Sequence, residues 1–359
     1  MAKLVLVGGF LGAGKTTLLR AAARLAKQRG QRVGLISNDQ APDLVDTGWL
    51  LEVGVPVREI AGSCFCCNYD GLVDAVRELI EQESCDLVIA EPVGSCTDLS
   101  ATILQPLKDG HGIQVELAPL SVLADPSRLL PVLSGGSDMH SSAAYIYRKQ
   151  LEEADRLVLS KADLLEPAER DQTVALLQQH FPNRPVDQLS SHSGEGLSDW
   201  LQAVLAATVS GQRVVAVDYD TYADGEAALG WVNAEARLSG SEQWRERLQD
   251  LMHRLQQALR GHGAAVGHVK VLLTGDDGHL VGNLTRLDEE PSVRGDMAAA
   301  NSVRCLINAR VELPAAVLQE LVERCCLELP DCDSEIVSMH AITPGRPVPV
   351  HRYEGPTIG

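Results

Sequence analysis

Two short stretches of this chain hold residue types whose spacing suits chemistry. The first, Gly9-Phe-Leu-Gly12-Ala13-Gly14-Lys15-Thr16-Thr17, follows an apolar β-type run, Lys3–Gly8, and leads into a Leu/Ala/Arg-rich helical segment, Thr17–Lys27. Strand, glycine-rich loop and helix in that order make a phosphate cradle. The glycines allow positive φ, and amides at the helix N-terminus face the phosphates. Lys15 would reach the β and γ oxygens, and the Thr16 hydroxyl would ligate Mg²⁺. The second stretch, Cys64-Phe-Cys66-Cys67, sets three thiols within four residues. As thiolates they would hold one soft or borderline ion at roughly 2.3 Å for zinc, leaving a fourth position open, which suits handover better than permanent structure. Small buried hydrophobes, or a redox pair needing a strained disulfide between Cys66 and Cys67, are the competing readings.

The elements that must position these residues are read from apolar runs. Strands are expected at Lys3–Gly8, Arg32–Ser37, Pro56–Ile60, Asp86–Glu91, Gln114–Ala124, Arg156–Ser160 and Arg184–Leu189, mostly separated by helical segments. Alternating β and α elements imply a doubly wound, mostly parallel sheet covered on both faces, with ligands bound where the strand-following loops gather. Those loops would bring together the phosphate loop, Asn38-Asp39, the cysteine loop, Glu91-Pro-Val-Gly94, Asp125, Ser160-Lys161-Ala162-Asp163 and Ser190-Ser191-His192-Ser193-Gly194. Ser160-Lys161-Ala162-Asp163 stands where guanine-reading proteins carry Asn-Lys-x-Asp. A carboxylate there accepts hydrogen bonds from guanine N1–H and its exocyclic amine, which adenine does not offer. Ser160 replaces the usual Asn. The loop containing Ser191 is similar to the Ser-Ala-x-x-Gly base loop of GTPases. The cysteine loop falls between Asp39 and Glu91, in the zone that responds to a γ-phosphate in nucleotide switches.

At 359 residues the chain exceeds one typical core, and its 45% apolar content supports globular structure. We expect a nucleotide domain over 1–208, a small α+β domain, ferredoxin-like in one reading, over 209–330, and an irregular Pro-rich tail over 331–359. The second domain holds an apolar run at Ala227–Leu238, a helix near Glu242–Arg260, a hairpin His268–Arg286, a strand Val303–Val311 and a helix from Pro314 to about Leu329. A net charge of −18 argues against nucleic acid or an anionic membrane as partner. No segment reads as a leader or membrane span, and nine cysteines, an odd number, suit a reducing cytoplasm. Cys325, Cys326 and Cys332 read as core packing, and His140, His192 and His351 are scattered candidates for a metal shell.

The phosphate loop, Cys64-Phe-Cys66-Cys67, Glu91-x-x-Gly94 and Ser160-Lys-x-Asp163, in this order over residues 1 to about 205, resemble the CobW-like GTPases. These are relatives of the nickel-delivering urease and hydrogenase maturation GTPases, with a P-loop NTPase fold. The resemblance implies a GTPase that binds a transition metal and passes it to, or withholds it from, a client protein. It would give Gly9, Gly12, Ala13, Gly14, Lys15, Thr16 and Thr17 to phosphate and Mg²⁺, Glu91 and Gly94 to the γ-phosphate zone, and Asp39 to a magnesium or catalytic role. Ser160, Lys161, Asp163 and Ser191 would meet the base, and Cys64, Cys66 and Cys67 the transition metal, Zn²⁺ first with Co²⁺ or Ni²⁺ as alternatives. Ser63 stands where a Gly is common, the family's His-rich stretch is missing, and the C-terminal half matches the usual second domain poorly. A nucleotide-dependent homodimer fits related switches. A module that gates cofactor loading of a client, with structural cysteines, and a small-molecule kinase are the other classes weighed.

Overall fold

The computed structural model describes residues 1–38, 45–51, 53–136, 139–241 and 243–357. The chain separates into two compact units. The second consists essentially of Ala223–Arg346; the first contains the N-terminal elements, Asp46–Tyr222 and the segment from Pro347 onward.

The first unit runs β1 (Lys3–Gly9), α1 (Lys15–Gln28), β2 (Val33–Asn38), α2 (Val45–Leu51), β3 (Val57–Ile60), α3 (Tyr69–Glu81), β4 (Leu87–Ala90), a π-helical turn (Ser100–Leu104) and α4 (Gln105–Lys108). It continues through β5 (Glu116–Leu117), β6 (Ser121–Ala124), α5 (Pro126–Ser134), α6 (Ser141–Glu153), β7 (Arg156–Leu159), α7 (Pro167–His180), β8 (Val186–Gln188), α8 (Leu197–Ala206) and α9 (Tyr219–Ala227). The strands pair in parallel in the order β3-β2-β4-β1-β6-β7-β8, with β5 beside β1. β2, β4 and β6 are buried along their whole length, as expected where helices cover both faces. α1 contributes Leu18, Leu19, Ala22, Ala23 and Ala26 at helical spacing to a core that also includes Trp200 and Val204 of α8. Each fully buried leucine there stabilises the fold by about 1.5–3 kcal/mol.

Three sequence expectations are corrected. The single strand expected over Gln114–Ala124 is broken at Pro119, which has no N–H for the ladder, leaving β5 and β6. Residues 209–222, which the expected bounds place in the second domain, cluster with the first. Backbone groups hold them there: Gly211 and Gln212 N–H donate to the Asp155 carboxylate at 2.6 and 2.9 Å, and the Gly211 carbonyl accepts from Gln105 Nε2 at 2.7 Å. The stretch from 331 is not an irregular tail, because it begins with a ten-residue strand.

That strand, β14 (Asp333–Ile342), closes the second unit, which runs β9 (Gly230–Ser239), α10 (Trp244–Gly261), β10 (Val266–Thr274), β11 (Gly278–Leu284), β12 (Ser292–Met297), β13 (Ser302–Val311), α11 (Ala315–Leu327) and β14. Its sheet has the order β12-β11-β10-β13-β9-β14, all antiparallel. Two βαβ units, β9-α10-β10 and β13-α11-β14, interleave as in ferredoxin-like folds, and the β11–β12 hairpin extends one edge. Leu248, Leu251 and Leu255 of α10 and Cys325 and Cys326 of α11 pack into its core. Among the described residues no helix is long and apolar enough to cross a membrane.

Candidate functional site

β1 lies at the centre of the parallel sheet and delivers the phosphate loop to its C-terminal edge. Gly12 (φ +78) and Gly14 (φ +97) adopt left-handed backbone, and Gly14 is the N-cap of α1. Any side chain there would strain the loop. Thr17, half-buried, follows in the first turn of α1. The Lys15 ammonium donates to the carbonyls of Gly9 (2.8 Å) and Phe10 (3.3 Å). Ala13 N–H closes the turn on Phe10 O at 3.1 Å. Thr16 Oγ1 donates to Glu91 Oε2 at 3.1 Å, and both residues are buried. A hydroxyl beside a carboxylate is an all-oxygen set that fits Mg²⁺. Gly94 also belongs here: a Cβ on it would come within 2.6 Å of Leu11 Cδ2 and 3.0 Å of Lys15 Nζ, so a larger residue would have to displace the Leu11 side chain or that ammonium.

On one side of β1 stand the segments expected to meet a base. Asp125, after β6, caps α5 through Ser127 N–H (3.0 Å) and pairs with Lys161 Nζ at 2.7 Å. Burial alone would raise its carboxyl, but the Lys161 ammonium and the Ser127 hydrogen bonds outweigh that and hold it below the usual range. Lys161 itself has left-handed backbone (φ +54), and Asp163 is exposed on the short 3-10 turn that follows. Ser160 is buried and its hydroxyl donates to Ala124 O at 3.3 Å. Ala162 N–H donates to Leu189 O at 3.2 Å, stitching this segment to the loop after β8, where Ser191 is half-buried. Ser190 shapes that loop by accepting from His192 and Ser193 N–H.

The thiols lie on the other side, after β3. Cys67 and Asn68 N–H both donate to Cys64 O, and the Asn68 side chain then caps α3 by accepting from Gly71 N–H at 3.2 Å. The sulfurs of Cys64, Cys66 and Cys67 all lie within 4.8 Å of one another. Their separations are 3.0 Å (Cys64–Cys66), 3.3 Å (Cys64–Cys67) and 3.8 Å (Cys66–Cys67). Hydrogen bonding with Cys66 first, then with Cys67 and Cys96, holds the Cys64 thiol well below the ordinary thiol range. Bonding to Cys64 correspondingly pushes Cys66 up, and Cys67 up to about 11. Three sulfurs this close together, just before the N-terminus of α3, are a set that fits a soft divalent ion.

Two sets of contacts to this loop are not readable from the sequence. Asn38, at the end of β2, clamps it from inside: Nδ2 donates to Ile60 O (2.9 Å) and Ser63 O (2.8 Å), while Oδ1 accepts from Phe65 N–H (3.0 Å). Asn38 was flagged only with its neighbour; Asp39 lies outside the described residues. The other partner is the chain end. Val348 N–H donates to Cys67 Sγ (3.2 Å), Val350 N–H to Cys66 O (2.9 Å), and the His351 ring packs on Tyr69 and His111. Arg352 pairs with buried Asp98 at 2.7 Å. No residue pattern announces these contacts, since most are made by backbone. Of the scattered histidines, His351 alone is brought beside the thiol loop; His192 sits in the Ser191 loop and His140 caps α6.

The loop after β4 is held from α6. Glu153, fully buried, accepts from Thr97 Oγ1 (3.2 Å) and Ser100 N–H (3.0 Å). Burial, with Asp98 nearby, pushes its carboxyl up to about 8 from an ordinary 4.5. The folded chain therefore binds this proton more tightly than the unfolded chain, so the associated stability is present below the unfolded pKa and is lost as pH rises towards 8. Glu153→Gln is expected to remove that loss. Denaturant unfolding between pH 5.5 and 8.5 should show wild type falling relative to the variant by about 2–4 kcal/mol; parallel pH profiles would contradict the assignment.

The model of the CobW/HypB/UreG nucleotide-binding domain matches residues 3–187, more than half of the chain. The chain belongs to this family. Among curated proteins it is similar to the zinc chaperone YeiR of Escherichia coli, 29% identical over 207 residues covering 55% of this chain and 57% of YeiR. It is also similar to the zinc chaperone CobW of a Sinorhizobium species, 27% identical and covering 45% of this chain and 51% of that protein. The chain thus spans about half the length of the curated relatives it matches. Among solved structures, HypB of Helicobacter pylori in complex with nickel aligns at 21% identity and TM-score 0.41, covering 57% of this chain and 86% of HypB. Zn(II)-bound YjiA GTPase of E. coli aligns at 16% identity and TM-score 0.34, covering 90% of this chain and 98% of YjiA.

Proposed function

We propose that this family member is a GTP-hydrolysing metal chaperone that couples its nucleotide state to binding and release of a transition metal destined for a client protein. The observation that carries this reading is the three-thiol cluster at the same sheet edge as the phosphate loop. Zn²⁺ is the preferred cargo, since three thiolates suit it and the curated relatives are named zinc chaperones; Co²⁺ and Ni²⁺ remain compatible with thiolate donors.

In this reading the amides of Gly12, Ala13 and Gly14 and the Lys15 ammonium hold the β- and γ-phosphates. Thr16 and Glu91 hold Mg²⁺, which neutralises charge on the phosphate oxygens when bound. Lys15 would swing from the Gly9 carbonyl to the phosphates, exchanging a neutral acceptor for a charged one. Gly94 keeps the space beside that ammonium clear. Asp163 reads guanine, with Lys161 braced by Asp125 beneath it. Asp39 keeps the candidate role of a magnesium or water-positioning group. A GTP-dependent homodimer is part of the proposal, as in related switches.

Asp163→Ala should lower GTP affinity by about 100-fold and leave weak ATP binding unchanged, because only guanine offers the two N–H groups a carboxylate accepts. Fluorescent-nucleotide titrations measure both, and an equal loss for ATP would count against guanine reading. A second reading, a GTP-dependent module that gates cofactor loading with structural cysteines, draws on the burial of Cys64 and Cys66. The two separate on metal content: stoichiometric zinc kept through mild chelation supports the carrier, whereas a metal-free chain that forms a nucleotide-dependent client complex supports the gate.

A further inference from the structure

We propose that Cys96, on the loop after β4, supplies the fourth sulfur to the metal held by Cys64, Cys66 and Cys67. The inference rests on the reading of the cysteine loop as a metal site and deepens it. Three sulfurs from one tight turn leave a tetrahedral ion one donor short, and the neighbouring loop brings a fourth. Cys96 is buried, takes part in no disulfide, and is in hydrogen-bonding contact with Cys64. It approaches the set from the Cys64 side, outside the group whose sulfurs all fall within 4.8 Å of one another.

Distances show what closing the site requires. Metal–sulfur bonds of ~2.3 Å in a tetrahedron put sulfurs ~3.8 Å apart. Cys66 and Cys67 already stand at 3.8 Å, whereas Cys64 is 3.0 and 3.3 Å from them and must open by about half an ångström or more. Opening in that sense carries Cys64 away from its two loop neighbours, and rotation of the Cys96 side chain on its fixed backbone would then turn its sulfur towards the ion. Coordination would release the thiol protons to water, with no change of oxidation state.

The position of Cys96 also says why the fourth donor matters. Its backbone is fixed by Cys96 N–H to Val93 O (2.9 Å) and by Gln150 Nε2, which donates to Cys96 O (2.8 Å) and Gly94 O (3.0 Å). Five residues earlier Glu91 accepts from Thr16, and Gly94 lies against Lys15. Any displacement of Glu91 or Gly94 on γ-phosphate binding is thereby passed along five residues to a metal ligand. The coupling passes through the ligand itself rather than through a long relay across the domain.

The test uses the full chain, reduced, with Co²⁺ alone as probe, in wild type, Cys96→Ser and Cys66→Ala. Wild type should give tetrahedral cobalt absorption. Cys96→Ser should lose about a quarter of the thiolate-to-cobalt intensity, as expected for three sulfurs in place of four, and bind more than about 10-fold more weakly, the least that losing even an outer-shell partner typically costs. A wild-type spectrum and affinity in Cys96→Ser, with binding lost in Cys66→Ala, would overturn the role of Cys96 and leave the cysteine loop standing. Unchanged binding in both would overturn the metal site itself. Should Cys96→Ser fail to fold, X-ray absorption on zinc-loaded wild type decides: four sulfurs are expected, and three sulfurs with one light atom contradict the proposal.

Discussion

Lys15→Ala is expected to slow GTP hydrolysis by about 10²–10³-fold, the cost of removing one donor aimed at developing charge. Its ammonium sits between the carbonyls of Gly9 and Phe10, with Gly94 packed against it. No other described cation is placed on the loop in that way: Lys161, on the strand-end side of β7, is engaged by Asp125 at 2.7 Å. Lys15→Arg should rescue poorly, because the bulkier guanidinium would meet Leu11 and the Gly94 backbone. Phosphate release at saturating GTP measures the effect, and a variant rate within threefold of wild type would show that the phosphates bind elsewhere.

The second large effect is on metal. Cys66→Ala removes a central sulfur, 3.0 Å from Cys64 and 3.8 Å from Cys67, from a loop whose backbone Asn38 fixes at three points. Because that clamp holds the turn independently of the thiol, the fold should survive. The Zn²⁺ or Co²⁺ affinity should fall by more than the ~10–100-fold typical of losing an outer-shell partner. Chelator competition gives the number, with the thermal midpoint as the folding control. An affinity equal to wild type would remove the loop from metal chemistry.

Much of the nucleotide half was legible in the sequence because a buried parallel strand is a continuous apolar run ended by a loop, and the loop motifs fall in register with those ends. The structure lays them along one edge in the order cysteine loop, Asn38, Glu91-Gly94, phosphate loop, Asp125, Ser160–Asp163 and Ser191. What was illegible has physical reasons. β12, Ser-Val-Arg-Gly-Asp-Met, is an edge strand with no fully buried residue and no apolar period. β14 alternates weakly and changes register between Ile336 and Ser338, so its pattern breaks midway. The Asn38 clamp and the contacts of Val348 and Val350 with the cysteine loop are made largely to backbone groups, which leave no trace in residue type. Cys96 was visible as a residue two places after Gly94, but only the fold sets it against Cys64.

Three strand spacings separate β1 from β3, roughly 14 Å, so the account stands or falls on whether nucleotide and metal communicate over that distance. The measurement is a Co²⁺ titration of reduced wild-type protein with Mg²⁺ and either GDP or a non-hydrolysable GTP analogue, read by thiolate-to-cobalt absorption. A metal affinity that differs between the two nucleotides by about fivefold or more, the lower end of ordinary coupling energies, is expected. Identical isotherms in both states would contradict it and leave two independent sites on one sheet.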